Sequence, residues 1–238
     1  MSAAGLADVR ALPSPTWRTT RLLVGRSLCI VAIAAPLLLL LGVGLAPAVI
    51  ALVARAGQHQ VGGPGSIWFF GVQQAPGIFT LVIAAMTISH LATHLAFGLT
   101  RRSFAAAVVL TVLAVAAVFA LLVPLGYVLE AAHYRAYGWT HEPPDSPALA
   151  ALASLLRSAV WGAGGALAAA VWYRFGGFVG VSALPFAAVF PIVTASMWIE
   201  RSVAFGVAEV AMLVGLVVLL SGLYVLVVVG ASVRARAA

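Results

Sequence analysis

FAAAVVLTVLAVAAVFALLVPLGYVL, residues 104–129, contains no charged side chain and is bracketed by Arg101 and Arg102 on one side and Glu130 on the other. About 20 such residues, rising ~1.5 Å each as a helix, cross the roughly 30 Å hydrocarbon core of a bilayer. The stretch therefore predicts a transmembrane helix. Five more read the same way: Ser27–Val53, Ile67–Phe97, Ala148–Trp172, Phe178–Ile199 and Ala204–Gly230. With 63% hydrophobic and 8% charged residues and a mean hydropathy of +1.12, the composition lies outside the range of soluble globular domains. The fold class expected is all-α, a polytopic membrane protein with six transmembrane helices over residues 27–230. An N-terminal tail with an interfacial helix (1–26) and a short C-terminal tail (231–238) flank it.

Orientation follows from the basic residues, thirteen in all and every one arginine. Arginine resists translocation, so loops rich in it stay cytoplasmic. With the N-terminus inside, Arg10, Arg18, Arg21, Arg26, Arg101, Arg102, Arg174, Arg234 and Arg236 are cytoplasmic, against Arg55, Arg135 and Arg201 outside. Both termini are accordingly expected in the cytoplasm, and the chain in the cell inner (plasma) membrane. The formal charge of +7 is absorbed by this asymmetry and implies no nucleic-acid partner. The single cysteine, Cys29, excludes an intrachain disulfide and a thiolate metal cluster. The first apolar run is too long for the core of a cleaved signal peptide.

Local signals divide the spans further. Trp17, Val24 and Leu28 share a helical face, which suits a helix lying in the interface ahead of the first span. Pro76 and Gly77 separate an interfacial segment, marked by Trp68, Phe69 and Phe70, from the second span. Ser146 before Pro147 is an N-cap followed by proline at the first helical position. Ser158, Gly162, Ala166 and Ala170, at four-residue spacing, form a small-residue ridge for close helix contact. Pro185 and Pro191 predict a broken fifth helix.

Candidate chemistry is sparse. His90 and His94, four residues apart on the second span, share a face and could ligate haem or serve as interhelical histidines. Arg157 in the fourth span and Glu209 in the sixth enter to comparable depth, as an intramembrane ion pair or as two polar points on a translocation path. No phosphate-binding loop, zinc-protease motif or serine nucleophile elbow is present; catalysis within the chain is not expected. The link FGLTRRSF, Phe97–Phe104, carries the most functional weight: Gly98 can end one helix, Thr100 can cap the next, and Arg101 and Arg102 can meet a peripheral cytoplasmic partner.

This link, of the form FG-x-TRR-x-F, resembles one in the small six-span permease subunits of ABC-2-type ABC transporters, especially the actinobacterial ones. Two further phrases are similar to theirs: Glu130 followed by Gly138 and Trp139, and YRFGG with Tyr173, Arg174 and Gly176. Together they cover roughly Met86–Gly180. The resemblance implies an ATP-driven permease, most simply an exporter of a hydrophobic or amphipathic substrate, paired with a second permease copy or paralogue. It also implies a separate cytoplasmic ABC ATPase that binds the ATP and Mg, this chain holding no cofactor, with Phe97, Gly98, Leu99, Thr100, Arg101, Arg102 and Ser103 as the coupling element. The competing readings are a haem- or quinone-binding anchor subunit of a redox complex, for which the two histidines speak, and a membrane scaffold.

Overall fold

The structure, a computed structural model, describes residues 15–39, 75–137, 146–201 and 206–230 of the 238. Every element among them is helical. Helix α1 is Pro15–Leu39; α2 (Ala75–Thr87) continues through a 3₁₀ turn (Ile88–His90) into α3 (Leu91–Ala96). Helix α4 is Arg101–Tyr137 and α5 Pro147–Phe175; α6 (Gly177–Leu184) passes through a π-helical turn (Pro185–Val189) into α7 (Phe190–Arg201), and α8 is Val207–Val229. Five units are long and apolar enough to cross a membrane: α2 with α3, α4, α5, α6 with α7 as far as Ala195, and α8. Helix α1, of 25 residues, covers the predicted first span as far as Leu39.

The order of burial follows from side-chain size. Lipid tails are as apolar as leucine, so helices associate in a bilayer through close packing, which small residues permit. Helix α5, the Ala- and Gly-rich one, is the hub against which α2, α4, α8 and the α6–α7 unit pack. All four members of its predicted ridge, Ser158, Gly162, Ala166 and Ala170, are buried. A Cβ at Gly162 would stand 2.5 Å from Val112 of α4 and 2.7 Å from Thr80 of α2. One at Gly165 would stand 2.6 Å from the Leu81 carbonyl oxygen, and one at Gly164 3.0 Å from that of Ala187 in the π turn. Helix α2 and the π turn thus approach α5 to backbone distance, while α4 closes over Gly162 through a side chain. The outward faces carry Ile33, Leu121, Phe178, Phe186 and Leu226, all more than two-thirds exposed, the surface expected of a bundle solvated by lipid.

The same contacts set the register. Gly77 packs on Trp161, Thr80 on Gly162 and Leu81 on Gly165, so α2 runs parallel to α5 but begins about 20 Å below its start at ~1.5 Å per residue.

The structure departs from the sequence expectations in three places. The boundary at residue 26 falls inside one continuous helix, because Thr19, Thr20, Leu23, Ser27 and Val31 form an unbroken buried stripe. The third span runs past Leu129 to Tyr137, because Tyr127, Glu130 and Tyr134 extend the buried stripe of Phe119 and Val123. The fifth helix is widened rather than broken: the Phe190 N–H reaches back five residues to the Pro185 carbonyl, and a π turn of this kind absorbs the misfit without ending the helix. The expected cap at the start of α5 is present, Ser146 Oγ accepting from the Leu149 N–H at 3.3 Å. The aromatic run Trp68–Phe70, Gly138 and Trp139, and both tail ends lie outside the described residues.

Candidate functional site

Between α3 and α4 the chain reverses in four residues, and the reversal is fixed at both ends. Gly98, at φ 74°, stands where a left-handed residue ends a helix. Its N–H donates to the Leu95 carbonyl at 3.0 Å and that of Leu99 to the His94 carbonyl at 3.2 Å, the paired bonds of a Schellman motif. Thr100 then caps α4, its Oγ1 accepting from the Ser103 N–H at 3.1 Å while Ser103 Oγ donates to the Thr100 carbonyl at 2.8 Å. Neither end of the turn has slack.

The two arginines of the turn have different surroundings. Arg101 is half-buried and donates from Nη1 to the Val229 carbonyl at 3.4 Å. Arg174, at the end of α5, does the same to the Val227 carbonyl at 3.4 Å and lies over Gly230. Both guanidinium groups satisfy carbonyls that the last turn of α8 leaves without helical donors, at the negative end of its dipole. Arg102 is exposed, as is Phe97, which is 79% accessible. Gly98 and Thr100 are exposed, Leu99 is half-buried and Ser103 buried. The turn therefore presents one aromatic ring and one cation from a base tied to three helices.

A second polar site lies near the opposite end of the bundle. Glu130 of α4 and Arg157 of α5 are both buried, at 0% and 2% accessibility, and both act electrostatically on the Tyr127 hydroxyl. The three therefore share one neighbourhood, with Ser154 and Ser158 beside Arg157 on α5. Neither serine Oγ has a hydrogen-bond partner among the described residues. Burying a carboxylate and a guanidinium costs several kcal/mol per ion unless each offsets the other. Opposite charges close together supply that offset.

Glu209, the acidic group expected within the membrane, occupies the first turn of α8, where its carboxylate accepts from the Gly206 N–H at 3.0 Å. An acid there satisfies a free amide and complements the helix dipole. The structure brings Arg157 to the neighbourhood of Glu130, and Glu209 to its own helix terminus. Sequence reading names Glu130 but sets it outside the third span, because a charge just past an apolar run looks like a loop residue; the spacing of Val123, Tyr127, Glu130 and Tyr134 along one helical face is the available signal.

His90 and His94 point to different helices. Arg26 Nη1 of α1 donates to His90 Nε2 at 3.2 Å, which requires that nitrogen to be unprotonated because a guanidinium cannot accept. The His94 ring lies 5.1 Å from that of Phe104 in α4. Among the described residues no three of His, Cys, Asp and Glu are grouped to hold a metal ion, and Cys29 is exposed. Compared with models of known protein families, with curated proteins and with solved structures, the chain matches none.

Proposed function

We propose that this chain is the transmembrane permease subunit of an ATP-driven transporter of the ABC-2 type, with both termini cytoplasmic and a hydrophobic or amphipathic substrate carried outward. The observation that carries the reading is the braced turn at Phe97–Ser103. It is too short to fold alone, yet it is locked by a Schellman motif, a threonine cap and a bond to α8, with Phe97 and Arg102 left at the surface. A rigid ring-and-cation knob suits docking into a groove of a soluble partner, where aromatic and arginine anchors contribute most of the binding energy.

The geometry also suits force transmission. A push on the turn acts directly on α4, about 55 Å long at ~1.5 Å per residue, whose far portion carries Glu130. Through Arg101 it acts on α8, and through α4 on the hub α5. Closure of ATP-bound partners would move these helices as rigid bodies about the close Gly162 and Gly165 contacts, the hinge and shear motion by which packed helices switch states. ATP and its Mg ion belong to the partner, which supplies the energy.

The test is copurification in mild detergent from native membranes. A stoichiometric nucleotide-binding protein is expected with the wild type and is lost from Phe97→Glu/Arg102→Glu, a variant whose changes sit on exposed side chains and leave Arg101 in place. Undiminished partner recovery with the double variant, inserted at normal levels, sinks the proposal. So does recovery of a flavin or iron–sulfur protein in the ATPase's place.

A further inference from the structure

Helices α1 and α2 both pack on α4, with Val31, Ile83, Val115 and Phe119 clustered where the three meet, and a groove is left between α1 and α2. Its open part has a volume of about 110 Å³ and is lined by Leu23, Arg26, Ser27 and Ile30 of α1 and by Ile83, Met86, Thr87 and His90 of α2 and the turn that ends it. Arg26 meets His90 toward one end, with Leu23 a turn before it, Ser27 and Thr87 come next, and Ile30, Ile83 and Met86 make the other end apolar, four to seven residues farther along the helices, or about 6–10 Å.

We propose that this groove seats one anionic phospholipid, its phosphate on the Arg26 guanidinium and an acyl chain along Ile30, Ile83 and Met86. Arg26 is exposed, and its polar contact among the described residues is a histidine nitrogen that must be unprotonated to accept, so the guanidinium keeps its whole positive charge. The remaining donors form a fork suited to phosphate oxygens. Ile30 is 40% and Met86 60% exposed on the outer face of the bundle, so the groove opens where lipid lies. A free inorganic anion would gain nothing from the apolar end, and the groove is too narrow to admit a helix. A zwitterionic lipid offers the same phosphate but brings its own cation beside it, so only a net-anionic headgroup neutralises the arginine without adding a second positive charge. Basic pockets between membrane helices recognise anionic headgroups on these terms.

The experiment is native mass spectrometry of the full chain, delipidated in detergent and titrated with an equimolar mixture of phosphatidylglycerol and phosphatidylcholine. The wild type retains one phosphatidylglycerol in preference to phosphatidylcholine. Arg26→Gln lowers that retention about fivefold to tenfold, the effect of one cation with its charge-assisted hydrogen bonds. Met86→Trp, which fills the apolar end from its exposed side and leaves the charge in place, lowers it comparably. Arg18→Gln, at an exposed arginine about 12 Å away on the same helix, leaves it unchanged. Equal retention of the two lipids overturns the site, as does undiminished binding in either groove variant, a loss with Arg18→Gln as large as with Arg26→Gln, or displacement of the lipid by millimolar inorganic phosphate.

Discussion

The two ends of this bundle use the same side chain in opposite ways. At the arginine-rich end, Arg101 and Arg174 donate to the carbonyls that finish α8, Arg26 donates to a histidine, and Arg102 is exposed. No carboxylate takes part in these contacts, and the two arginines at the end of α8 offset a partial charge that helix geometry leaves over. Toward the other end Arg157 and Glu130 are both buried and both act on the Tyr127 hydroxyl, so full charges of opposite sign share one neighbourhood away from water. The first arrangement braces a surface at little cost; the second is stable only while both members are present. One end therefore leaves a ring and a cation exposed on a braced base, and the other buries its charges.

The largest expected effect lies at the buried end. Glu130→Gln removes the carboxylate from the surroundings of Arg157, and breaking such a pair costs about 3–5 kcal/mol, read as a lower unfolding midpoint of the detergent-solubilised protein. Glu209→Gln keeps the fold and loses only a charged cap, for which about 1 kcal/mol or less is expected. Equal losses for the two glutamates would erase the difference between a buried pair and a helix-end cap.

The next effect concerns the helix that joins the ends. At Gly165 a new Cβ would meet the Leu81 backbone, while at Gly215 of α8 it would meet open space. Gly165→Ala is expected to destabilise by about 1–3 kcal/mol through overpacking. Gly215→Ala should be neutral or stabilise by up to about 1 kcal/mol, the helix-propensity difference between the two residues. Opposite signs in the same unfolding assay support α5 as the hub; matching signs would remove it from that role.

How far these features can be read from the sequence depends on how local their causes are. Long apolar runs identify α4, α5 and α8, since hydropathy needs only the chain itself. Ser146, Gly98 and Thr100 are legible too, because caps and left-handed turns depend on neighbours within four residues. The neighbour of Arg157 is not. Depth alone points to Glu209, and the actual neighbour rests on interhelical register, which an Ala- and Gly-rich sequence fits in several alignments. Pro185 and Pro191 announce a disturbed helix, but whether it breaks or widens depends on how Ala187 of the turn meets Gly164 of α5, a contact that exists only once the two helices are packed. In α1 the run of arginines suggests a tail, while the buried stripe of Thr19, Leu23 and Ser27 that makes it part of the bundle is too polar for hydropathy to register.

The smallest effect on stability carries the most information about function. Arg101→Ala removes one of the two arginine donors at the end of α8, and about 0.3–1 kcal/mol is expected from loss of a helix-end cation. Arg102→Ala removes an exposed side chain and should leave the unfolding midpoint unchanged, as surface substitutions away from caps and pairs do. If partner recovery nevertheless falls for Arg102→Ala while it holds for Arg101→Ala in proportion to folded protein, the braced turn separates its tasks by residue. Arg101 then fixes the turn to the bundle and Arg102 meets what docks on it. The reverse outcome would mean that the contact with α8, and not the exposed cation, is what a partner reads.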